Sequence, residues 1–274
     1  MKRNMTISAI LPVYNEEKRI RYALDSLMWC DEIILIDKFS TDKTVEIALG
    51  YGDKVKICYF KNTSAYDSSE WKVALENSSS DWIALFTASD VIHPKLVNEI
   101  LKLIESNNKL IDIIHIPFKR YVLGLDFENS PWHSDLSPKI VKKASIVLKE
   151  GGVHDAVKFV GNNFYMSKSD KYCMYHLTHE TVDIMMDRHL RYWRGEVNEN
   201  SICLKQDIKA IFKSFIKFTF FKRLPLLGYD GFMIMFSFMT YQMMSYVYKW
   251  EKTRGNAPEV YDGIRRKISE AWKC

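Results

Sequence analysis

The sequence predicts an α/β fold with a mostly parallel central sheet flanked by helices, followed by a C-terminal helical appendage. Short apolar runs that end in polar turns recur through residues 1–200, and stretches with helical apolar spacing separate them. Buried parallel strands have this character, and helices connect them. After residue 200 the chain becomes basic and aromatic. We therefore expect an α/β domain over residues 1–200 and, over 201–274, a helical segment that associates with a membrane or forms a dimer.

The clearest pattern lies in residues 6–42, which predict a strand, an acidic loop, a helix, a second strand and a second acidic loop. The first apolar run closes at Asn15-Glu16-Glu17, and the second, residues 32–36, ends at Asp37. Between them, the apolar residues of 20–28 fall on one helix face. Both strands of this βαβ unit therefore deliver carboxylates at their carboxyl ends, where ligands bind in open α/β sheets.

The later elements follow from the same patterns. Alternating or continuous apolar runs predict strands, and apolar residues three and four apart predict helices. The strands are expected at residues 54–60, 81–86, 111–118, 138–141, 146–148 and 171–176, and the helices at 70–77, 96–104 and 181–200.

The segments LPVYNEE and DEIILID, the latter followed by STD, resemble the amino-terminal half of inverting family 2 glycosyltransferases, which have the GT-A nucleotide-sugar-binding fold. The resemblance implies that Pro12, Tyr14 and Glu16 line the base pocket of a nucleotide-sugar. It also implies that Asp37 accepts hydrogen bonds from uracil or ribose, with Ser40 of the same turn among the donor-binding residues. A carboxylate is a strong acceptor for such N–H and hydroxyl groups.

The run Thr87-Ala88-Ser89-Asp90 follows the strand at residues 81–86, where the family carries its acidic metal motif. The two usual acids appear here as Thr87 and Ser89. One alternative is Mg²⁺ or Mn²⁺ held mainly by the donor phosphates, with Asp90 as a ligand. The other is metal-free chemistry in which Lys or Arg neutralises the leaving group. In both, the resemblance implies that Ser89, Asp90 and Lys72 of the helix at 70–77 bind the donor.

The run GGVHDA at residues 151–156 resembles the VHE motif of lipopolysaccharide-core and capsule-type members, with Asp in place of Glu. An inverting transferase requires one base to take the proton of the acceptor hydroxyl, and a carboxylate in a dehydrated cleft serves this role. We expect Asp155 to be that base and His154 to contact the diphosphate or a metal. Trp132 is expected to stack on the acceptor sugar.

The C-terminal segment predicts a helix pair that lies on a membrane surface or on a partner subunit. Residues 207–223 form a basic amphipathic pattern, and the uncharged run of 17 residues at 232–248 is shorter than the roughly 20 that span a bilayer. The runs Gly228–Gly231 and Tyr248–Glu251 resemble motifs of members that build lipid-linked glycans. A helical hairpin buried in a soluble protein is the alternative.

Composition and the absence of certain motifs argue against several classes of function. The net charge of +5 is modest and no nucleic-acid motif is present, so we expect no nucleic-acid partner. The five cysteines include no CxxC pair, which is typical of free thiols in a reducing cytoplasm. No GxGxxG follows the first strand, which argues against a dinucleotide oxidoreductase.

The sequence therefore predicts a cytoplasmic inverting glycosyltransferase at the inner face of the membrane. It would move a sugar from a UDP-linked donor to a lipid-linked or polysaccharide acceptor in cell-surface glycan biosynthesis. The alternative, motivated by Thr87 and Ser89, is a non-catalytic relative that binds nucleotide-sugars or acts as a scaffold.

Overall fold

The computed structural model describes residues 5–61, 68–107, 110–148, 157–195, 204–254 and 257–272. Within these ranges the strands are β1 (Ile7–Val13), β2 (Glu32–Asp37), β3 (Val55–Tyr59), β4 (Trp82–Leu85), β5 (Asp90–Ile92), β6 (Ile113–Val122), β7 (Leu136–Lys142), β8 (Ile146–Leu148), β9 (Val157–Phe159), β10 (Asn163–Tyr165) and β11 (Met174–Thr178). The helices are α1 (Ile20–Ser26), α2 (Thr44–Leu49), α3 (Ser68–Asn77), α4 (Pro94–Asn107), α5 (Val182–Gly195), α6 (Leu204–Ile216), α7 (Gly228–Arg254) and α8 (Ala257–Ala271).

One large sheet has the strand order β3-β2-β1-β4-β7-β6-β11-β5, with β10 beside β6. The first four strands are mutually parallel, whereas β7 runs antiparallel between β4 and β6. Strand β11 is parallel to β6 and antiparallel to β5. The predicted α/β fold with a mostly parallel sheet and flanking helices is confirmed, and β8 and β9 form a separate hairpin.

The core lies on both faces of the parallel strands, and β2 is buried at every position. Because successive side chains of a strand alternate between faces, Ile33 and Leu35 join the cluster beneath α1 and α4. Ile34 and Ile36 face the other way and pack with Ala74 of α3. Because both faces of β2 are buried, its sequence is a continuous apolar run. This run ends at the carboxylate of Asp37.

Four elements were not predicted from the sequence, namely β5, β9, β10 and α8. Strand β5 begins at Asp90, and α8 follows α7 near the C-terminus. Strand β5 has three residues and exists because β11 pairs with it, which a local apolar pattern does not reveal. The strand expected at 171–176 forms at Met174–Thr178, and the helix expected at 181–200 is described as α5.

The C-terminal region is helical, as predicted, and most of residues 224–231 is helical as well. A short helical turn at Leu224–Leu227 leads directly into α7 at Gly228, whose φ is +77°. A Cβ on Gly231 would lie 2.1 Å from the carbonyl oxygen of Leu224, so α7 approaches this turn more closely than any other residue would allow. Within the described ranges, no helix combines the length and apolar character that a membrane crossing requires.

Candidate functional site

The loops that follow β1 and β2 are joined at the carboxyl edge of the sheet, as the sequence predicted. The Asn15 N–H donates to Ser40 Oγ at 2.9 Å, and the Thr41 N–H donates to Asn15 Oδ1 at 2.8 Å. The Glu16 N–H donates to Thr44 Oγ1 at 2.7 Å. Asn15 has φ +54°, a conformation that asparagine tolerates better than most residues. These bonds fix the shape of one side of the site.

Four of the predicted donor-binding residues gather at this edge. Asp37 is fully buried, and its two carboxylate oxygens lie 3.0 and 3.3 Å from the N–H of Ser40. Pro12 is half-buried opposite Ile36, and Tyr14 is 41% exposed with the guanidinium of Arg191 5.7 Å from its ring centre. Tyr14 therefore presents an accessible ring beside the buried Asp37 turn.

Glu16 links this edge to the second half of the sheet. Its carboxylate accepts hydrogen bonds from Arg19, with the Nη2 contact at 3.0 Å, and lies 3.7 Å from Arg188 of α5. Arg188 in turn donates to Thr178 Oγ1 at the end of β11, at 2.6 Å. Burial raises the pKa of Glu16, although the bond from Arg19 opposes this. Glu16 thus connects the β1 loop with β11 through two arginines.

A second group of polar residues, which we call the Asp90 cluster, consists of Asp90, Arg120, Lys139 and His176 around the ring of Phe118. Asp90 pairs with His176 across β5 and β11, and His176 pairs with Arg120 across β11 and β6. Residues directly opposite one another on neighbouring strands point to the same face. The three side chains therefore form one row across three strands.

Contacts to Asp90 hold the cluster together. His176 Nδ1 lies 2.5 Å from Asp90 Oδ1, and Lys139 Nζ lies 3.5 Å from Asp90 Oδ2. The same Oδ2 accepts bonds from the N–H of Thr87 at 2.8 Å and from its hydroxyl at 3.1 Å. The Phe118 ring lies between 5.4 and 5.5 Å from the Arg120 guanidinium, the Lys139 ammonium and the His176 ring.

Burial and the neighbouring charges determine the pKa values of Asp90 and His176. Burial raises the pKa of Asp90, but the charge of Lys139 and the bond from His176 outweigh it and hold this pKa at about 2. Burial, together with the positive charges of Arg120 and Lys139, lowers the pKa of His176 despite the nearby Asp90. At neutral pH the cluster therefore holds an ionised Asp90 against an ammonium, a guanidinium and a neutral imidazole.

The side chains at this place do not fit a divalent cation. Thr87 and Ser89 contribute hydroxyls without charge, while both oxygens of Asp90 are already engaged by His176, Thr87 and Lys139. Mg²⁺ and Mn²⁺ prefer several oxygen ligands, of which carboxylates supply the balancing charge. Among the residues that the structure describes, no three His, Cys, Asp or Glu side chains are grouped closely enough to hold an ion.

The remaining predicted residues lie elsewhere or outside the described ranges. Lys72 is on the outer face of α3, 68% exposed, with its ammonium 4.0 Å from Glu76. Trp132 is half-buried and packs edge-on against Phe238 of α7 at 5.3 Å. The predicted base Asp155, together with His154, falls in residues 149–156, which the structure does not describe.

The sequence did not reveal Arg120, Lys139, Arg188 and Arg191. None of them belongs to a motif, and each reaches the site from a strand or helix distant in the chain. Lys139 lies at an irregularity of β7, where Ile140 pairs with Ile114 but Pro138 pairs with His115, so strand alternation does not predict which face it takes.

Comparison with known proteins adds a family match. The model of the family described as glycosyl transferase family 2 matches residues 8–165, more than half of the 274-residue chain. An uncharacterized glycosyltransferase of Rickettsia typhi is 34% identical over 108 residues, 38% of this chain and 33% of that protein. The poly(ribitol-phosphate) beta-N-acetylglucosaminyltransferase TarS of Staphylococcus aureus is 27% identical over 123 residues, 42% of this chain and 21% of that protein. The match thus spans a third or less of these relatives.

Solved structures to which the chain is similar include residues 1–349 of S. aureus TarS in complex with UDP-GlcNAc. That structure has a TM-score of 0.48 and 20% identity, over 79% of this chain and 73% of the other. The glucosyl-3-phosphoglycerate synthase of Mycobacterium tuberculosis, in complex with Mn²⁺, UDP and phosphoglyceric acid, has a TM-score of 0.40 and 19% identity, over 61% of this chain and 72% of the other.

Proposed function

The chain belongs to glycosyl transferase family 2 and is a glycosyltransferase, and from this premise we propose that it is an inverting enzyme with a UDP-linked sugar donor. The observation that carries the proposal is the joined pair of loops after β1 and β2, with the buried Asp37 turn beside the exposed ring of Tyr14. An aromatic face and a nearby carboxylate suit a nucleoside, since one stacks on the base and the other accepts hydrogen bonds. The acceptor is a lipid-linked or polysaccharide glycan of the cell surface.

The catalytic base in this proposal is Asp155. In an inverting transfer the acceptor oxygen attacks C1 of the sugar while the bond from C1 to the diphosphate oxygen breaks, and the acceptor proton passes to the base. The departing nucleoside diphosphate keeps the electron pair of that bond.

Calorimetry with UDP, followed by a transfer and donor-hydrolysis assay over a panel of UDP-sugars, tests the proposal. We expect UDP binding, and turnover with at least one donor. Asp155→Ala should keep UDP affinity and lose transfer, whereas the matched control Asp170→Ala should retain both. Unchanged transfer in Asp155→Ala contradicts the base assignment. Binding without hydrolysis or transfer across the panel favours the non-catalytic alternative instead.

The surface of the C-terminal helices supports a membrane-bound acceptor. Apolar side chains with helical spacing are exposed along one side of α7, over about 30 Å at 1.5 Å per residue. They are Tyr229, Phe232, Met233, Phe236, Met243, Val247 and Trp250, and we call them the α7 stripe. A stripe of this kind, which the residues described by the structure leave exposed, is suited to an external apolar surface.

The preceding segment supplies the matching charge. Residues 208–229 contain five basic residues and no Asp or Glu. Exposed Phe212, Ile216 and Phe221 share an apolar groove of about 510 Å³ with three of these lysines, Lys209, Lys213 and Lys217. Exposed aromatic side chains beside lysines are typical of helices that lie in the plane of an anionic membrane. In a symmetric dimer through this surface, the lysines of the two copies would lie close together and repel each other. An anionic membrane would attract them, so the charge favours a membrane over a second copy as the partner.

We therefore propose that the enzyme is peripheral at the inner, cytoplasmic face of the membrane, where the free thiols of Cys30, Cys58 and Cys173 stay reduced. Sedimentation with vesicles tests this placement. We expect binding to vesicles that contain phosphatidylglycerol, weaker binding in high salt, and little binding to pure phosphatidylcholine.

Lys213→Glu should weaken vesicle binding about tenfold or more, because each such lysine contributes on the order of 1 kcal/mol and reversal also introduces repulsion. Lys102→Glu, which changes an exposed lysine on α4, is the matched control and should leave binding unchanged. If the protein does not bind anionic vesicles and light scattering shows a stable dimer, the membrane placement is wrong. The partner of this surface would then be a second copy of the chain.

A further inference from the structure

We propose that Lys139 supplies the positive charge at the donor diphosphate that a divalent cation supplies in metal-dependent transferases, with Asp90 holding the ammonium in place. The inference rests on the proposed function, because it concerns the diphosphate of a nucleotide donor. It extends the proposed function by naming the side chains, those of the Asp90 cluster, that would bind the departing diphosphate.

The position of Lys139 in the sheet is the first support. The antiparallel ladder between β4 and β7 pairs Ala84 with Ile140, so Lys139 is the next residue along β7, at the carboxyl end of β4. Asp37 ends β2, and β1 lies between β2 and β4. Asp37 pairs with Val13 of β1, whereas Leu85 at the end of β4 pairs with Ile10. The two strand ends are therefore two strand spacings and three residues apart, about 14 Å. A donor whose nucleoside lies at the Asp37 turn extends its diphosphate across β1 towards Lys139.

The contacts of Lys139 are the second support. Its side chain is 15% exposed, its ammonium lies 3.5 Å from the buried Asp90, and the same ammonium lies 5.5 Å from the Phe118 ring centre. An ammonium has three N–H donors, so a single carboxylate oxygen leaves donors for a ligand. Because Asp90 and Phe118 already restrict the side chain, binding a phosphate through it loses little further rotational freedom.

The residues around Lys139 are the third support. Two carboxylates at positions 87 and 89 would attract a cation and would compete for the ammonium. Thr87 and Ser89 carry no charge, and the cluster instead sets one carboxylate, Asp90, against the cationic Lys139 and Arg120. Fixed positive charge at the point where negative charge develops is the usual means of stabilising a leaving group.

In the transfer step Lys139 gives up no proton. As the bond between C1 and the diphosphate oxygen breaks, its electron pair remains on the nucleoside diphosphate, and the ammonium stabilises the added negative charge. The proton of the acceptor hydroxyl goes to the base.

Calorimetric titration of the purified protein with UDP and with uridine, each in EDTA and in Mn²⁺, tests the inference. For the unmodified chain we expect the Kd of UDP in the two buffers to agree within about twofold. Lys139→Met should weaken UDP binding about ten- to a hundredfold, the usual effect of losing a charge-assisted contact, and leave uridine binding unchanged. Lys139→Arg should restore most of the affinity.

Lys142→Met is the matched control, because Lys142 lies on the same strand and is ion-paired with Asp112 at 2.9 Å. It should bind UDP normally. The double change Thr87→Asp and Ser89→Asp should make UDP binding depend on Mn²⁺. Circular dichroism confirms that each variant is folded, and the EDTA comparison of the unmodified chain requires no variant.

The inference is overturned if EDTA abolishes UDP binding by the unmodified chain and Mn²⁺ restores it, which leaves the proposed function intact. It is equally overturned if folded Lys139→Met keeps the normal ratio of UDP to uridine affinity. Failure of UDP, GDP, CDP and dTDP to bind in either buffer would reject the proposed nucleotide donor and this inference together.

Discussion

The parallel sheet and the C-terminal helices are both rich in apolar residues, yet they place them differently. Every residue of β2 is buried, and the side chains of Leu35 and Ile34 have no exposed surface. On α7 the largest apolar side chains face outwards, and Phe236 is 59% exposed. Helix α8 has no buried residue at all, although its apolar residues share one face.

This difference shows that the two regions use hydrophobicity for different purposes. In the sheet, apolar burial stabilises the fold and holds Asp37 and the Asp90 cluster in register at the edges of the strands. The exposed apolar faces of α7 and α8 contribute little to the stability of the isolated chain and remain available for an external surface.

The largest difference between the two regions should be the effect of removing a side chain on the free energy of unfolding. Leu35→Ala is expected to lower the free energy of unfolding by about 2–5 kcal/mol, because it deletes fully buried methyl groups and leaves a cavity. Phe236→Ala should change it by less than about 0.5 kcal/mol, since this ring is largely exposed. Urea denaturation measures both. A large loss in Phe236→Ala would mean that the α7 stripe is covered within the chain.

Lowering the pH should destabilise the chain at the junction between the sheet and the C-terminal helices. At this junction His179, at the end of β11, contacts His189 of α5 with ring centres 5.1 Å apart. His189 also contacts Tyr241 of α7 at 4.6 Å. Burial lowers the pKa of both histidines to about 4, and for His179 the positive charge of His189 is a smaller cause of the same shift. Both imidazoles are therefore neutral in the folded protein at neutral pH.

Because the unfolded chain binds these protons near pH 6.5 and the folded chain near pH 4, stability is complete above pH 6.5 and falls as the pH is lowered towards 4. Between pH 7 and pH 5 we expect a loss of about 2 kcal/mol per histidine. Urea denaturation over this pH range measures it. In His179→Asn with His189→Gln the slope should be much smaller, and an unchanged slope would contradict the assignment.

The junction between α7 and the turn at Leu224–Leu227 should be sensitive to a single methyl group. Gly231→Ala brings a Cβ within 2.1 Å of a backbone oxygen, and we expect a loss of about 1–3 kcal/mol. Gly263→Ala on α8 is the matched control, since its Cβ would meet no atom within 4 Å. It should stabilise the chain by up to about 1 kcal/mol through helix propensity. Equal effects of both changes would show that the close approach of α7 is unimportant.

The candidate site was predictable where one short segment determines it. Residues 6–42 contain two strands, their crossover helix and both loops, so the pairing of Asn15 with the Ser40 turn follows from local connectivity. The Asp90 cluster was not predictable in this way. Its members lie on β5, β6, β7 and β11, and their register across the sheet brings them together.

The sequence by itself determined the α/β fold, the family, and the contrast between a buried sheet and a basic, aromatic C-terminal segment. The fold and this contrast follow from periodicity and composition, which are local properties of the chain, and the family follows from the resemblance of the LPVYNEE and DEIILID segments. The tertiary structure alone decided that Asp90 begins a strand, that it faces His176, and that Lys139 lies beside it. Such contacts depend on strand pairing between segments about 50 and 86 residues apart, and that pairing is fixed by packing of the whole sheet.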